Sequence, residues 1–144
     1  PPGVAITTGV LPPTTLGLIT AGAVIGGSCL QFAYDQAKTE TAFWGFPSYW
    51  NVIYFYAWAL SLSSGVTIIL SWGLLVTLFL PIPFIYPSRT TSLRWITNGL
   101  AILWGLALLG YLWNPNLTNV IYGSLLFPIY YLAASIVLAI NTSD

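Results

Sequence analysis

Charged side chains are the scarcest feature of this sequence. The 144 residues include three Lys or Arg and three Asp or Glu, while 57% of them are apolar, and the mean hydropathy is +0.84. A soluble domain needs a charged and polar surface, which this composition does not supply. Long uncharged stretches are instead typical of chains that lie in hydrocarbon. The composition therefore predicts an all-α integral membrane protein.

The same scarcity excludes several classes of function. The three basic residues, Lys38, Arg89 and Arg94, are too few to build a surface that follows nucleic-acid phosphates. The chain has no histidine and a single cysteine, Cys29, so we expect no metal or cofactor to be held by this chain alone. Cys29 lies in an apolar run and is predicted to be a small packing residue.

About five transmembrane helices in one bundle are predicted, because turn-forming or polar residues divide the apolar sequence into stretches near the length of a membrane span. The Pro/Gly/Thr-rich segment 1–13 is predicted to be an extended or interfacial entry. The sequence begins with Pro1 and not with Met, so we expect the protein to start upstream. The predicted spans are 14–34, 49–62, 66–84, 93–113 and 117–140, within a bundle over 14–140 that a polar tail follows at 141–144.

Two of these spans contain residues that predict how the helix packs or bends. In the first span, Gly22 and Gly26 are four residues apart, as are Ala23 and Gly27, and small residues at this interval let two helices approach closely. We interpret them as a contact inside the bundle in preference to a dimer face. In the fifth span, Pro128 is predicted to kink the helix or to free a carbonyl that a neighbouring group must satisfy.

Charge and aromatic residues indicate the orientation of the bundle. The connection 35–48 carries Asp35, Lys38 and Glu40 beside several aromatic rings, so it is predicted to lie along the membrane surface, with the charges as a solvated ion-pair cluster. If the five spans alternate in direction, Lys38, Arg89 and Arg94 share one face. The positive-inside bias makes that face cytoplasmic, or stromal or matrix-like in an organelle.

The segment 81–94 is the candidate lipid site. Three prolines end the third span there, and Arg89 and Arg94 follow at once. A guanidinium just outside a span can hold a lipid phosphate through paired hydrogen bonds. The predicted headgroup site consists of Arg89 and Arg94 with Tyr86, Ser88 and Lys38, and the alternative is that the arginines only anchor the topology. No catalytic residue is predicted.

Several sequence blocks, in this order, resemble the C-terminal half of bacterial-type phosphatidylcholine synthases, which are CDP-alcohol phosphatidyltransferases. The resemblance covers about residues 17–140. Its most specific parts are a Gly-Phe-Pro-x-x-Trp-Asn block and a Pro-x-Arg block. The blocks are Lys38-Thr39-Glu40, Phe43-Trp44-Gly45-Phe46-Pro47-Ser48-Tyr49-Trp50-Asn51, Leu80-Pro81-Ile82-Pro83-Phe84-Ile85-Tyr86-Pro87-Ser88-Arg89, Leu93-Arg94 and Leu103-Trp104.

The resemblance implies a reaction but supplies no catalytic residue. The family makes phosphatidylcholine from CDP-diacylglycerol and choline with a divalent metal held by the acidic motif D-G-x2-A-R-x8-G-x3-D-x3-D, which belongs to the other half. This chain has no Asp-Gly pair, so none of those acids maps onto it. Mg or Mn is expected only together with the half that carries the motif. Tyr86 also stands where such enzymes have His.

Two hypotheses follow for the function, and the missing acidic motif favours the first over the second. In the first, the chain is a non-catalytic, lipid-contacting structural subunit of a larger membrane complex, with membrane lipids and other membrane subunits as partners. In the second, it is the C-terminal part of an active phosphatidylcholine synthase. A transporter broken at Pro128 is a weaker third option, because no charge within a span supports it. A longer coding sequence with the acidic motif and choline-dependent lipid synthesis would favour the second.

Overall fold

The structure is a computed structural model that describes residues 2–33, 42–45, 48–80, 83–85 and 94–141; for 42–44, 83–85, 94 and 138–141 only the backbone is considered. The described residues form seven helices and one two-stranded sheet. The helices are α1 (Pro2–Thr7), α2 (Thr15–Ala33), α3 (Trp50–Ala59), α4 (Ser64–Thr77), α5 (Arg94–Trp113), α6 (Thr118–Ser124) and α7 (Leu126–Asn141), and the strands are β1 (Ala42–Trp44) and β2 (Pro83–Ile85).

Three helical segments are long and apolar enough to cross a membrane, namely Thr15–Ala33, Trp95–Trp113 and Thr118–Val137. The predicted all-α membrane class is therefore confirmed. The second and third predicted spans correspond to shorter helices, because α3 has 10 residues and α4 has 14. At a rise of about 1.5 Å per residue, α4 is about 21 Å long.

The predicted end of the third span is wrong. We placed it at Phe84, but α4 ends at Thr77 and residues Pro83–Ile85 form β2, which pairs with β1. Proline lacks the backbone N–H of a helical residue and moves the residue before it towards an extended conformation. Pro81 and Pro83 therefore prevent the helix from continuing, although the sequence stays apolar.

The N-terminal segment contains a helix where we predicted an extended or interfacial entry. Pro2 is the first residue of α1, a position where a missing N–H is tolerated. The Thr7 and Thr8 hydroxyls donate to the Val4 carbonyl at 2.9 and 2.8 Å. Gly9 follows with φ +76°, a conformation that commonly ends helices. The domain boundaries 1–13, 14–140 and 141–144 stay predictions.

The chain divides into two compact units, of which the first comprises Pro1–Lys38 and Trp44–Ile82. Within it, Gly27 of α2 meets α4, since an added Cβ would lie 2.6 Å from Leu75 Cδ1. Among the described residues, no atom outside the helix lies within 4 Å of the corresponding position at Gly22 or Gly26. Cys29 lies on the exposed side of α2, so its predicted packing role is wrong within this unit. The core consists of Ala5, Val10, Leu11, Ala21, Val24, Trp50, Tyr54, Ala57 and Leu78.

The second unit comprises Thr39–Phe43 and Pro83–Asp144. Its helices α5 and α7 meet through two side-chain contacts. The hydroxyls of Thr97 and Tyr130 are 2.9 Å apart, and the rings of Trp104 and Phe127 have centroids 5.2 Å apart. These contacts define one face of α5 as the inner face of this unit.

A break separates α6 from α7 at Leu125. The Leu125 N–H donates to the Tyr122 carbonyl at 3.2 Å, a tighter turn than an α-helix makes. Pro128 explains the position of this break, because a proline ring clashes with the carbonyl four residues earlier, which here belongs to Ser124. The structure thus places the break three residues before the proline that causes it.

Replacing Pro128 by alanine is expected to join α6 and α7 into one helix, because an N–H at position 128 can donate to the Ser124 carbonyl. Spin labels on cysteines at Asn119 and Ile136, in a Cys29→Ser background, should move apart in pulsed electron paramagnetic resonance measurements. A label pair at Ile102 and Leu109, within α5, serves as the control and should not change. An unchanged distance between 119 and 136 would show that Pro128 does not cause the break.

Candidate functional site

The residues predicted to hold a lipid headgroup fall mostly outside the described part of the chain. Lys38, Tyr86, Ser88 and Arg89 lie outside it, and Arg94 is described only as the first backbone position of α5. Their grouping into one site therefore stays a prediction. The described residues instead show how the Gly-Phe-Pro-x-x-Trp-Asn block is held.

Gly45, the first residue of that block, occupies a position that only glycine fits. Its φ is +81°, in the left-handed region that disfavours other residues. An added Cβ would collide with the Leu78 carbonyl oxygen and would lie 2.9 Å from the Leu78 carbonyl carbon and 3.3 Å from Gln31 Nε2. The block therefore begins in close contact with the residues that end α4 and α2.

Two further residues of the block bind α2 directly. The Ser48 hydroxyl donates to Gln31 Oε1 at 2.6 Å, and Gln31 is only 4% exposed. The Trp50 indole N–H donates to the Ser28 hydroxyl at 2.9 Å. Ser28 and Gln31 are three residues apart and so share a face of α2. Ser48 and Trp50 thus contact one face of α2 near its C-terminal end.

Three hydrogen bonds found among the described side chains, including the bond to Ser28, connect α2, α3 and α4 in pairs. Each connects an aromatic side chain to a hydroxyl on a neighbouring helix. The pairs are Trp50 with Ser28 at 2.9 Å, Tyr54 with Ser71 at 3.2 Å, and Trp72 with Thr20 at 3.1 Å. Hydrogen bonds of this kind contribute about 0.6 kcal/mol each on average between membrane helices. Together they fix the three helices against one another.

The hydroxyls in this network have second partners on their own helices. Thr20 donates to the Leu16 carbonyl, Ser28 to Val24 and Ser71 to Thr67, each at 2.7 or 2.8 Å. Among the described side chains, no buried nitrogen or oxygen lacks a hydrogen-bond partner. A polar network whose members are all paired is rigid and specifies one arrangement.

The chemistry available in this network is limited to neutral groups. Hydroxyl, amide and indole groups can orient a neighbouring segment, but they are poor general acids or bases near neutral pH. Within the described ranges, no group of three or more His, Cys, Asp or Glu side chains could hold a metal ion. These residues do not fit the divalent metal that the resemblance implies, so no step is assigned to a metal on this chain.

The sequence indicates the block but not the residues that contact it. Ser28 and Gln31 are not predicted as contact residues, because single neutral polar residues are common near the ends of apolar helices. A signal was present, since an amide in hydrocarbon needs hydrogen-bond partners. That requirement marks Gln31 as a contact residue, although it does not say which segment provides the partner.

Comparisons with known proteins identify the relatives of this chain. Phosphatidylcholine synthase of Legionella pneumophila is 34% identical over 81% of this chain and 48% of that protein. The phosphatidylcholine synthases of Rhizobium meliloti and Borreliella burgdorferi are 31% and 36% identical, over 60% and 56% of this chain and 36% and 35% of those proteins. No protein-family profile and no solved structure matches. The predicted resemblance is thus confirmed: the chain is related to bacterial phosphatidylcholine synthases over most of its own sequence, and it spans about half the length or less of these relatives.

Proposed function

We propose that the chain is the membrane-embedded, lipid-holding part of a phosphatidylcholine synthase that uses CDP-diacylglycerol and choline. The observation that carries this proposal is the 34% identity to the Legionella pneumophila enzyme over 81% of the chain. A match of that extent includes residues 45–51 wherever it begins. Within that range, Gly45 lies against the Leu78 carbonyl, Ser48 donates to Gln31 and Trp50 donates to Ser28.

The reaction itself divides between this chain and the part that carries the acidic motif. The choline hydroxyl oxygen forms a bond to the phosphorus of the diacylglycerol phosphate, the bond from that phosphorus to CMP breaks, and the hydroxyl proton passes to a base. The motif and its divalent metal belong to the other part. What this chain contributes is the position of the lipid substrate relative to that centre.

In this proposal, Arg89 and Arg94 hold the lipid phosphate, and Tyr86, Ser88 and Lys38 add donors around it. Two features support it. A guanidinium presents paired donors to phosphate oxygens. The helix α5 begins at Arg94, so the positive end of its dipole lies beside that residue. The face that carries these residues is the cytoplasmic one, or its equivalent in an organelle, by the positive-inside bias.

The alternative is a non-catalytic structural subunit of a larger membrane complex. It is favoured by the neutral network of the first unit, where every buried polar side-chain atom among the described residues has a partner. Such a network stabilises a fold without performing chemistry. Both candidates contact lipid, so only a measurement of phospholipid synthesis distinguishes them.

A chimera provides that measurement. This chain should replace the matched region of the Legionella pneumophila phosphatidylcholine synthase, in a bacterium that makes no phosphatidylcholine. We expect choline-dependent phosphatidylcholine in its membranes. The double change Arg89→Gln and Arg94→Gln should lower the rate about tenfold, the effect of losing about 1.4 kcal/mol of charge-assisted hydrogen bonding.

The changes Asn114→Gln and Asn116→Gln, in the turn between α5 and α6, remove no charge and serve as the matched control. They should leave the rate unchanged. A chimera that reaches the membrane in normal amount and folds but makes no phosphatidylcholine would favour the structural subunit. An unaffected rate in the arginine variant would leave the two arginines as topology anchors.

A further inference from the structure

The outer face of α5 carries an apolar stripe with a tryptophan at each end. Trp95 is 81% exposed and Trp113 is 93% exposed. Three of the exposed side chains between them, Ile102, Leu106 and Leu109, recur at intervals that place them on the same side of the helix as both tryptophans. We call this set the outer stripe, and it consists of Trp95, Ile102, Leu106, Leu109 and Trp113.

The opposite side of the same helix packs within the second unit. Thr97 is 2% exposed and its hydroxyl forms a hydrogen bond with the Tyr130 hydroxyl, while Tyr111 is 7% exposed. Between them, Trp104 packs against Phe127. Thr97, Trp104 and Tyr111 are seven residues apart and lie on the side of the helix away from the outer stripe. The two faces of α5 thus differ in exposure from one end of the helix to the other.

The length of the outer stripe matches the hydrocarbon thickness of a bilayer. Trp95 and Trp113 are 18 positions apart, which corresponds to about 27 Å along a helix, against about 30 Å for a typical hydrocarbon core. The sequence carries no charged residue from 95 to 143. Indole rings prefer the level of the lipid headgroups. Each end of the outer stripe therefore suits one membrane interface.

We propose that the outer stripe faces the acyl chains of the bilayer, with Trp95 and Trp113 at its two interfaces, where they set the depth of the second unit in the membrane. Bulky side chains argue for lipid as the occupant, because helices that meet in membranes favour small residues that allow close approach. Gly99, Gly105 and Gly110 flank the outer stripe, whereas the stripe itself consists of large side chains. This inference is independent of the proposed enzymatic role.

Labelling the protein in liposomes tests the assignment of the face. Nitroxide labels are placed on single cysteines in a Cys29→Ser background, at Trp95, Leu106 and Trp113, with Thr97 and Tyr111 as inner-face controls. Collision with oxygen, which concentrates in hydrocarbon, is compared with collision with a water-soluble nickel complex. We expect the oxygen-to-nickel ratio to be several-fold higher at 106 than at 95 or 113, and both collision rates to be low at 97 and 111.

Two results would overturn the proposal. Frequent collision with nickel at 106 would mean that water covers the outer stripe. Low collision with both reagents at 106 would mean that protein covers it, either a second copy of the chain or another helix.

A second experiment tests the role of the tryptophans in setting depth. Trp95→Ala should shift the depth of a label at Ile102, whereas Ile96→Ala, which removes an exposed neighbour without an indole, should not. Equal effects of the two changes, or no effect of either, would rule out an anchoring role for Trp95. Labels at 97 and 111 that stay inaccessible in both variants show that the unit remains folded.

Discussion

Replacing Gly45 by alanine is expected to lower the free energy of unfolding of the first unit by about 3 kcal/mol. The new Cβ would require a left-handed conformation at φ +81° and would collide with the Leu78 carbonyl. Relieving that collision moves the segment away from α4, and Ser48 then loses its alignment with Gln31 Oε1. The change is measured by denaturant titration in mixed micelles, followed by tryptophan fluorescence.

Gly73→Ala is the matched control for this change. Gly73 lies in α4, and its φ is not positive. In the part of the chain that the structure describes, no atom outside the helix is within 4 Å of its Cβ position. Alanine there should alter the free energy of unfolding by about 1 kcal/mol or less, in the stabilising direction. If Gly45→Ala and Gly73→Ala behaved alike, the contact between Gly45 and Leu78 would not be a determinant of stability.

The membrane class could be predicted from the sequence because it depends on composition alone. A chain with so many apolar side chains and only six charged ones can bury its apolar surface in few environments other than a membrane. The fourth span was placed at 93–113 and α5 runs from Arg94 to Trp113, because a charge marks one end and Asn114-Pro115 marks the other. The third span was placed too long, since hydropathy continues through Pro81 and Pro83 while backbone hydrogen bonding does not.

The candidate functional site was harder to predict from the sequence than the membrane class. The resemblance pointed to the Gly45–Asn51 block. Ser28 and Gln31, which contact it, come earlier in the chain, and no regular sequence spacing connects them to the block. Contact between distant segments depends on how α2, α3 and α4 pack. The need of Gln31 for a hydrogen-bond partner was the one signal that pointed there. The arginine site at 89 and 94 stays a prediction from charge and family resemblance.

Replacing Trp50 by alanine is expected to lower the free energy of unfolding by about 4 kcal/mol. Trp50 is 4% exposed, its ring stacks on Tyr54 with centroids 6.3 Å apart, and its indole N–H donates to Ser28. Alanine removes the packing of α3 against the core and the bond to α2 together. Trp58, on the same helix but 43% exposed, provides the control. Its ring lies beside that of Phe55, with centroids 6.1 Å apart, and Trp58→Ala should cost less than Trp50→Ala.

A double-mutant cycle separates the hydrogen bond of Trp50 from its packing. Trp50→Phe keeps an aromatic ring but removes the N–H, and Ser28→Ala removes the acceptor. If the bond connects the block to α2 as the 2.9 Å distance indicates, the two changes should be coupled by about 0.6 kcal/mol, the average for such bonds in membranes. Zero coupling would assign the whole effect of Trp50 to packing. In that case Gly45 and Ser48, and not the indole, would fix the block on α2, because their contacts to Leu78 and Gln31 do not involve Ser28.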